Sequence, residues 1–348
     1  MYRSFFGLKM KPFELLPNPD FLFLSTSHKK ALYYLDHALL EQAGFMLLTG
    51  EIGSGKTTVI RDLLRRNGNR LVFAKVTNTN IGPQQLLSMV IDDFGISAPD
   101  REKSSLLKKL NEFLIAQYAR GTTQVLVIDE AQNLSPETLE EVRMLSNLET
   151  DSSKLLQIIL VGQPELRQTL NSANLQQLRQ RISFACHLSP LSCEEVKEYI
   201  LHRLEVAGNR DAVEFESAAL ELVYCYSRGI PRLINIMCDF LMLSAFAEET
   251  RIITAALVRD IAGEMEFERH YWGRVDVCEN GPLFPRGTPD SQSVLIELRE
   301  KVGELLSRLE TLESQKSIFP GIFPSVDQSD SCCDVGRKSG FLGKLFRA

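Results

Sequence analysis

Residues Gly50-Glu51-Ile52-Gly53-Ser54-Gly55-Lys56-Thr57 match the pattern G-x-x-x-x-G-K-[ST] at every fixed position. The apolar run Phe45-Met46-Leu47-Leu48-Thr49 precedes them, and a helical pattern over 57–66 follows. Strand, glycine loop and helix in that order make a phosphate-binding loop rather than a chance turn. Glycines let backbone N–H groups close around a phosphate, and the helix N-terminus adds the positive end of its dipole. The candidate phosphate-binding residues are therefore Gly50, Glu51, Ile52, Gly53, Ser54, Gly55, Lys56, Thr57 and Thr58. Lys56 is placed to neutralise the β- and γ-phosphate oxygens, and the Thr57 hydroxyl to ligate Mg²⁺.

A second motif selects among the reactions such a loop serves. Val125-Leu126-Val127-Ile128 is an uninterrupted apolar run, expected of a strand buried on both faces of a parallel sheet, and it ends in Asp129-Glu130. Asp129 is placed to hold Mg²⁺, and Glu130 to polarise an attacking water. A kinase must keep water from the γ-phosphate, so a carboxylate beside the metal aspartate argues against one. A GTPase orients its water with a glutamine elsewhere, and no N-K-x-D motif is present. The two motifs together predict an ATP hydrolase that depends on Mg²⁺.

Composition bounds the rest. A length of 348 residues allows two domains and a tail, and 44% hydrophobic content supports a core. A net charge of −6 supplies no global basic field, so charge alone does not predict nonspecific nucleic-acid binding. The seven cysteines are scattered without a C-x-x-C pair, which suggests neither a disulfide framework nor a zinc knuckle. The N-terminus lacks the apolar core of a signal peptide, and 233–247 is too short and polar to span a bilayer. A cytoplasmic chain is expected.

Strand patterns at 45–49, 71–76, 125–128, 155–161 and 184–188 alternate with helical patterns at 57–66, 83–94, 104–120 and 136–148. A helix is also expected over 27–42, after the aromatic residues Phe5-Phe6, Phe13 and Phe21-Leu22-Phe23. This alternation predicts an α/β fold, a parallel sheet covered on both faces. After Pro190 the strand signal vanishes. Ser192 and Glu195 have the spacing of a capping box, and helices are expected over 192–207, 216–227, 231–248 and 254–268.

The expected domains are a nucleotide-binding α/β domain over 1–190, a small helical lid over 191–268, and a C-terminal extension. In that extension, 269–292 reads as a linker and 293–315 as an amphipathic heptad helix carrying Leu295, Leu298, Val302, Leu305, Leu309 and Leu312. A short coiled coil and a single docked helix both fit that stripe. Residues 316–348 read as a disordered basic tail. Arg337, Lys338, Lys344 and Arg347, with an apolar face of Phe341, Leu342, Leu345 and Phe346, suit either peripheral contact with an anionic membrane or a frayed end.

Further groups are placed to sense the γ-phosphate. Gln163 follows the strand at 155–161 and can contact the γ-phosphate or the water. Arg179 and Arg181 precede the fifth strand, where an arginine can face a neighbouring subunit's nucleotide, with Arg181 preferred. Arg232, at the start of a lid helix, can reach back to the γ-phosphate.

With these residues assembled, the chain resembles AAA+ ATPases of the general secretion pathway protein A (ExeA-like) family. The resemblance is carried by Tyr2-Arg3-Ser4-Phe5-Phe6-Gly7-Leu8, Pro12-Phe13, Gly50 to Thr58, Ile128-Asp129-Glu130-Ala131-Gln132, Val161-Gly162-Gln163-Pro164-Glu165-Leu166, Arg179-Gln180-Arg181-Ile182 and Gly229-Ile230-Pro231-Arg232. It implies a P-loop NTPase sheet in the order 5-1-4-3-2, a helical lid, ATP with Mg²⁺, and ATP-dependent homo-oligomerisation. It also implies a role in powering or regulating a bacterial envelope secretion, pilus or exopolysaccharide export system, with those proteins as partners, in the cytoplasm or at the inner membrane. The secretin-assembly members carry a transmembrane segment and a peptidoglycan-binding domain. The extension here points instead to the short forms of exosortase and exopolysaccharide loci. The alternative is a DNA-transaction ATPase of the TniB/MuB transposition type, which the acidic balance disfavours.

Overall fold

The computed structural model describes residues 2–273 except 17, 69, 151 and 152. The heptad stripe and the basic tail lie outside the described residues.

Five runs rich in β-branched and apolar residues form one parallel sheet: β1 (Phe45–Gly50), β2 (Leu71–Val76), β3 (Thr123–Ile128), β4 (Gln157–Gly162) and β5 (Ile182–Leu188). Their order is β2-β3-β4-β1-β5, the 5-1-4-3-2 arrangement read from the other edge. Successive side chains on a strand point to opposite faces, and the central strands are apolar on both. Phe45, Leu47, Leu126, Ile128, Ile158 and Leu160 therefore fill one core, and Met46, Leu48, Val125, Val127, Ile159 and Val161 fill the other.

Helices α1 (Tyr2–Phe5), α2 (Thr26–Leu40), α3 (Lys56–Asn67), α4 (Pro83–Asp93), α5 (Lys103–Ala119), α6 (Pro136–Leu145), α7 (Glu165–Leu170) and α8 (Gln176–Arg181) lead into or connect the strands. Leucines and isoleucines of α2 and α3 cover the second core, and those of α4 to α8 cover the first. The fourth strand starts two residues later than the apolar run predicts. Leu155 and Leu156 are buried under the first core before pairing begins, so burial without a ladder extends the run.

Past β5 come α9 (Cys193–Val206), α10 (Ser217–Ser227), α11 (Pro231–Ala247), α12 (Ala255–Glu264) and α13 (Phe267–Trp272). Ser192 and Glu195 form the expected capping box on α9. Two features differ from the reading. A two-residue parallel ladder, β6 (Glu214–Phe215) with β7 (Ile252–Ile253), ties α10 to α12. The single helix expected over 254–268 breaks at Glu266, whose φ is +42°, and resumes as α13. The break turns Phe267 fully into the lid core, and Trp272 then donates its indole N–H to the Tyr226 carbonyl. Helix thus extends into the first residues of the segment read as a linker.

The aromatic N-terminal arm belongs to the lid core. Tyr2, Phe6, Leu8, Phe13 and Phe21 are buried in one cluster with α9 to α13. Arg203 of α9 fixes the arm by donating to the carbonyls of Pro12 and Glu14 while its guanidinium lies 4.6 Å over the Phe21 ring. A buried guanidinium needs such acceptors to offset lost hydration. Gly229 marks the closest backbone approach: with φ +72°, a Cβ there would meet the Leu191 carbonyl oxygen at 2.1 Å. Among the described residues no helix is long and apolar enough to cross a membrane.

Candidate nucleotide site

The loop 50–57 crosses the C-terminal end of β1 and feeds α3. A loop that points its N–H groups at an anion must turn its carbonyls outward, where each needs a donor. Lys56 Nζ donates to the carbonyls of Gly50 and Glu51 at 2.8 and 2.9 Å. The backbone N–H of Arg232 donates to Gly53 O, and His28 Nε2 lies 3.1 Å from Ser54 O. Gly53 has φ +81°, and a Cβ on it would come within 2.4 Å of Arg232 Cβ, so the lid helix α11 rests directly on the loop. Burial lowers the Lys56 pKa, against the pull of Glu130, Asp129, Glu51 and Glu165, which favour its charge.

Asp129 and Glu130 follow β3. Asp129 Oδ2 lies 3.4 Å from Thr57 Oγ1 and 3.1 Å from Lys75 Nζ. Asp129 Oδ1 accepts the Glu130 N–H. Glu130 has φ +51°, a backbone state that costs a non-glycine residue on the order of 1–3 kcal/mol and persists where surroundings impose it. Here Thr79 Oγ1 donates to its carbonyl at 3.0 Å. Its carboxylate Oε2 accepts from Gln132 Nε2 at 2.6 Å and from Gln163 Nε2 at 3.3 Å. Gln132 Oε1 in turn accepts the Gln163 N–H.

A cavity of about 250 Å³ opens between the loop, the N-terminal arm and the lid, and Gly53, Gly55, Lys56, Thr57, Thr58, Glu130 and Arg232 line it. Leu16, Leu22, Ile52, Leu191 and Pro231 give one part of its wall an apolar surface. The residues fit a magnesium nucleotide. The buried Ser54 Oγ has no partner among the described residues, and a hydroxyl and a carboxylate, the donor types Mg²⁺ takes, converge at Thr57 and Asp129.

Arg179 and Arg181 are elsewhere. The register sets Ile182 beside Phe45 and Leu188 beside Gly50. Both arginines therefore precede the opposite end of β5, about 20 Å from the loop edge at the rise of a strand. Arg181 donates to Ser146 Oγ and Asn147 Oδ1, whereas among the described residues the Arg179 guanidinium reaches only Leu170 O, at 3.4 Å. Sequence reasoning missed His28, Lys75, Thr79 and Gln132 at the site. Only Gln132 carried a local signal, two residues from Glu130.

His28, His187 and His202 have pKa values below the ordinary 6.5, in each case first because of burial. Folding thus excludes protons that the unfolded chain takes up. The stability tied to these groups is complete above about pH 6.5 and falls as pH drops through that value. The melting temperature is expected to decline between about pH 7.5 and 5.5. A flat profile across that interval would contradict the lowering of these three pKa values by burial.

Comparison with known proteins agrees with this geometry. A family model described as AAA domain matches residues 38–170. General secretion pathway protein A of Aeromonas hydrophila is 44% identical over 248 residues, 71% of this chain and 45% of that protein. ATP-dependent target DNA activator B of Escherichia phage Mu is 25% identical over 159 residues, 46% of this chain and 47% of that one. The chain thus spans less than half the length of either curated relative. Among solved structures, the Aeropyrum pernix ORC2 protein superposes with a TM-score of 0.57 at 20% identity, covering 74% of this chain and 72% of that one. Cdc6p of Pyrobaculum aerophilum gives 0.55 at 19%, covering 75% and 70%. At such identity these likenesses speak to the fold alone.

Proposed function

We propose that the chain is an ExeA-like AAA+ protein, a reading supported by its 44% identity to general secretion pathway protein A and by the AAA domain match, and that it binds and hydrolyses ATP and uses the energy to assemble or regulate a bacterial envelope secretion, pilus or exopolysaccharide export system as a homo-oligomer. The observation that carries the ATPase reading is the meeting of Thr57 Oγ1 and Asp129 Oδ2 beside Glu130, at the mouth of a loop whose carbonyls are held outward. Thr57 and Asp129 would hold the Mg²⁺, which when bound neutralises phosphate charge. Lys56 holds the two loop carbonyls with two of its N–H groups and has the third for a phosphate oxygen. The apolar wall of Leu16, Leu22, Ile52 and Pro231 receives the base.

Glu130 orients and deprotonates the attacking water. Gln132 and Gln163 hold its Oε2, and Gln163 reports on the γ-phosphate. Arg232 reaches the γ-phosphate from the lid. Arg179 or Arg181 acts on the nucleotide of a neighbouring subunit, and Arg179 has the fewer ties to its own chain. Titration with a fluorescent ATP analogue and a phosphate-release assay test the reading. Saturable binding and Mg²⁺-dependent turnover are expected, and absence of binding would end it.

The secretion assignment rests on the 44% identity to a protein named for that pathway. The likeness to the phage target DNA activator supports a second reading, a DNA-transaction ATPase. Duplex-DNA binding that weakens steeply and linearly in log affinity against log salt would favour the second reading.

A further inference from the structure

The imidazole of His28 has no part in the chemistry derived above, yet it is only 4% exposed and sits against the phosphate loop. Its Nε2 is 3.1 Å from Ser54 O, its Nδ1 is 2.6 Å from Ser25 Oγ, and Ser25 Oγ accepts the His28 backbone N–H as the N-cap of α2. One tautomer satisfies all three contacts: Nε2–H donates to Ser54 O, and the Ser25 hydroxyl donates to Nδ1. A methyl group at Gly55 would stand 2.9 Å from Nε2, so the ring is seated directly against the loop.

The same helical turn is gripped by the lid. The Glu195 carboxylate of α9 accepts Thr26 N–H at 2.9 Å and Thr26 Oγ1–H at 3.0 Å. Ser27 Oγ donates to Ser189 O in the segment leading to α9.

We infer that His28 is a positioning residue for the phosphate loop, and that the first turn of α2 couples the lid, through Glu195, to the loop, through Ser54. A trans peptide is planar, so its C=O and N–H point in opposite directions. Fixing Ser54 O on the imidazole therefore fixes the Gly55 N–H toward the other side, the phosphate side. Without the donor the Ser54 peptide is free to rotate, and the loop must be ordered by the nucleotide at the expense of affinity. Because α9 grips Thr26, a lid displaced from its place pulls on the turn that holds the loop.

The inference rests on the nucleotide-binding reading above. The test is titration of the full-length chain with a fluorescent ADP analogue, with melting temperatures of the unliganded variants measured alongside. His28→Leu keeps the bulk and removes the donor, and is expected to weaken binding roughly tenfold, the effect of one lost hydrogen bond. His28→Gln keeps an N–H donor and is expected to recover most of the affinity, which a purely volumetric role would not allow. Glu195→Ala is expected to weaken binding several-fold, and the double variant by less than the product of the two, because both act on one turn.

Binding by His28→Leu within twofold of the native chain, or no recovery with His28→Gln, would overturn the positioning role. Multiplicative effects in the double variant would overturn the coupling. If His28→Leu does not fold, Ser25→Ala replaces it: several-fold weaker binding is expected, and unchanged binding overturns the inference. Failure of the native chain itself to bind would remove the functional reading as well, whereas native binding with unaffected variants removes only the role of His28.

Discussion

Glu130→Gln is expected to bind nucleotide as the native chain does and to hydrolyse it about 10²–10⁴-fold more slowly, the usual contribution of a positioned general base. The argument is local. Glutamine keeps the length of the side chain and an acceptor oxygen, and with that oxygen in the place of Oε2 both amide contacts, from Gln132 and Gln163, survive. The left-handed backbone at 130, braced by Thr79, is unaltered by a change at the end of the side chain. Neither Thr57 nor Asp129 loses its partner. What disappears is the basic oxygen proposed to take the proton of the attacking water. The two measurements are an equilibrium titration with an ATP analogue and single-turnover phosphate release. Loss of turnover with binding intact assigns Glu130 to the chemical step. Turnover within a few-fold of native would remove it from the mechanism, and lost binding would make it a structural residue instead.

Phe6→Ala is expected to lower stability by about 3–5 kcal/mol, the cost of emptying a buried phenylalanine site. Phe6 is fully buried, with the Phe5 ring edge-on at 4.8 Å and the Tyr2 ring at 6.2 Å. Its carbonyl accepts Asn209 Nδ2–H from the loop after α9, and Arg251 donates to Phe5 O next to it. The cavity cannot close by a small shift, because the arm is pinned at both of these points and again by Arg203. The arm also borders the nucleotide cavity through Leu16, Phe21 and Leu22, so loosening it weakens the site, and the variant should gain less from added nucleotide than the native chain does. Chemical denaturation with and without ligand measures both effects. Leu40→Ala, at a leucine 74% exposed, is the control and should change little. Equal midpoints for Phe6→Ala and the control would show that the arm is an appendage rather than part of the lid core.

Much of the fold was readable because its signals are contiguous. The runs at 45–50 and 123–128 were delimited to within two residues because central parallel strands need apolar side chains on both faces, and the edge strand at 71–76 to the residue. The phosphate loop and Asp129-Glu130 were legible because backbone closeness to phosphate demands glycines at fixed spacing. The short helices α7 and α8 went unread: each presents only one or two buried leucines, too few for a helical period to stand out. The break at Glu266 was likewise invisible, since no glycine or proline marks it and the burial of Phe267 is what imposes it.

The sequence by itself determined the parallel α/β core, the loop that can cradle a phosphate, the acidic pair after β3 and the helical segment that follows the sheet. These depend on local periodicity, turn stereochemistry and side-chain type, all of which are written in neighbouring residues. Only the tertiary structure decided what completes the site. It set Lys75 on Asp129, Gln132 and Gln163 on Glu130, and His28 on Ser54. It sent Arg179 and Arg181 to the far end of β5, and it buried the aromatic arm in a lid formed some two hundred residues later, as in the bond from Asn209 to Phe6 across 203 positions. The physical reason is that such contacts are chosen by packing and by the need of buried polar groups for partners, and a partner distant in sequence leaves no local pattern at either end.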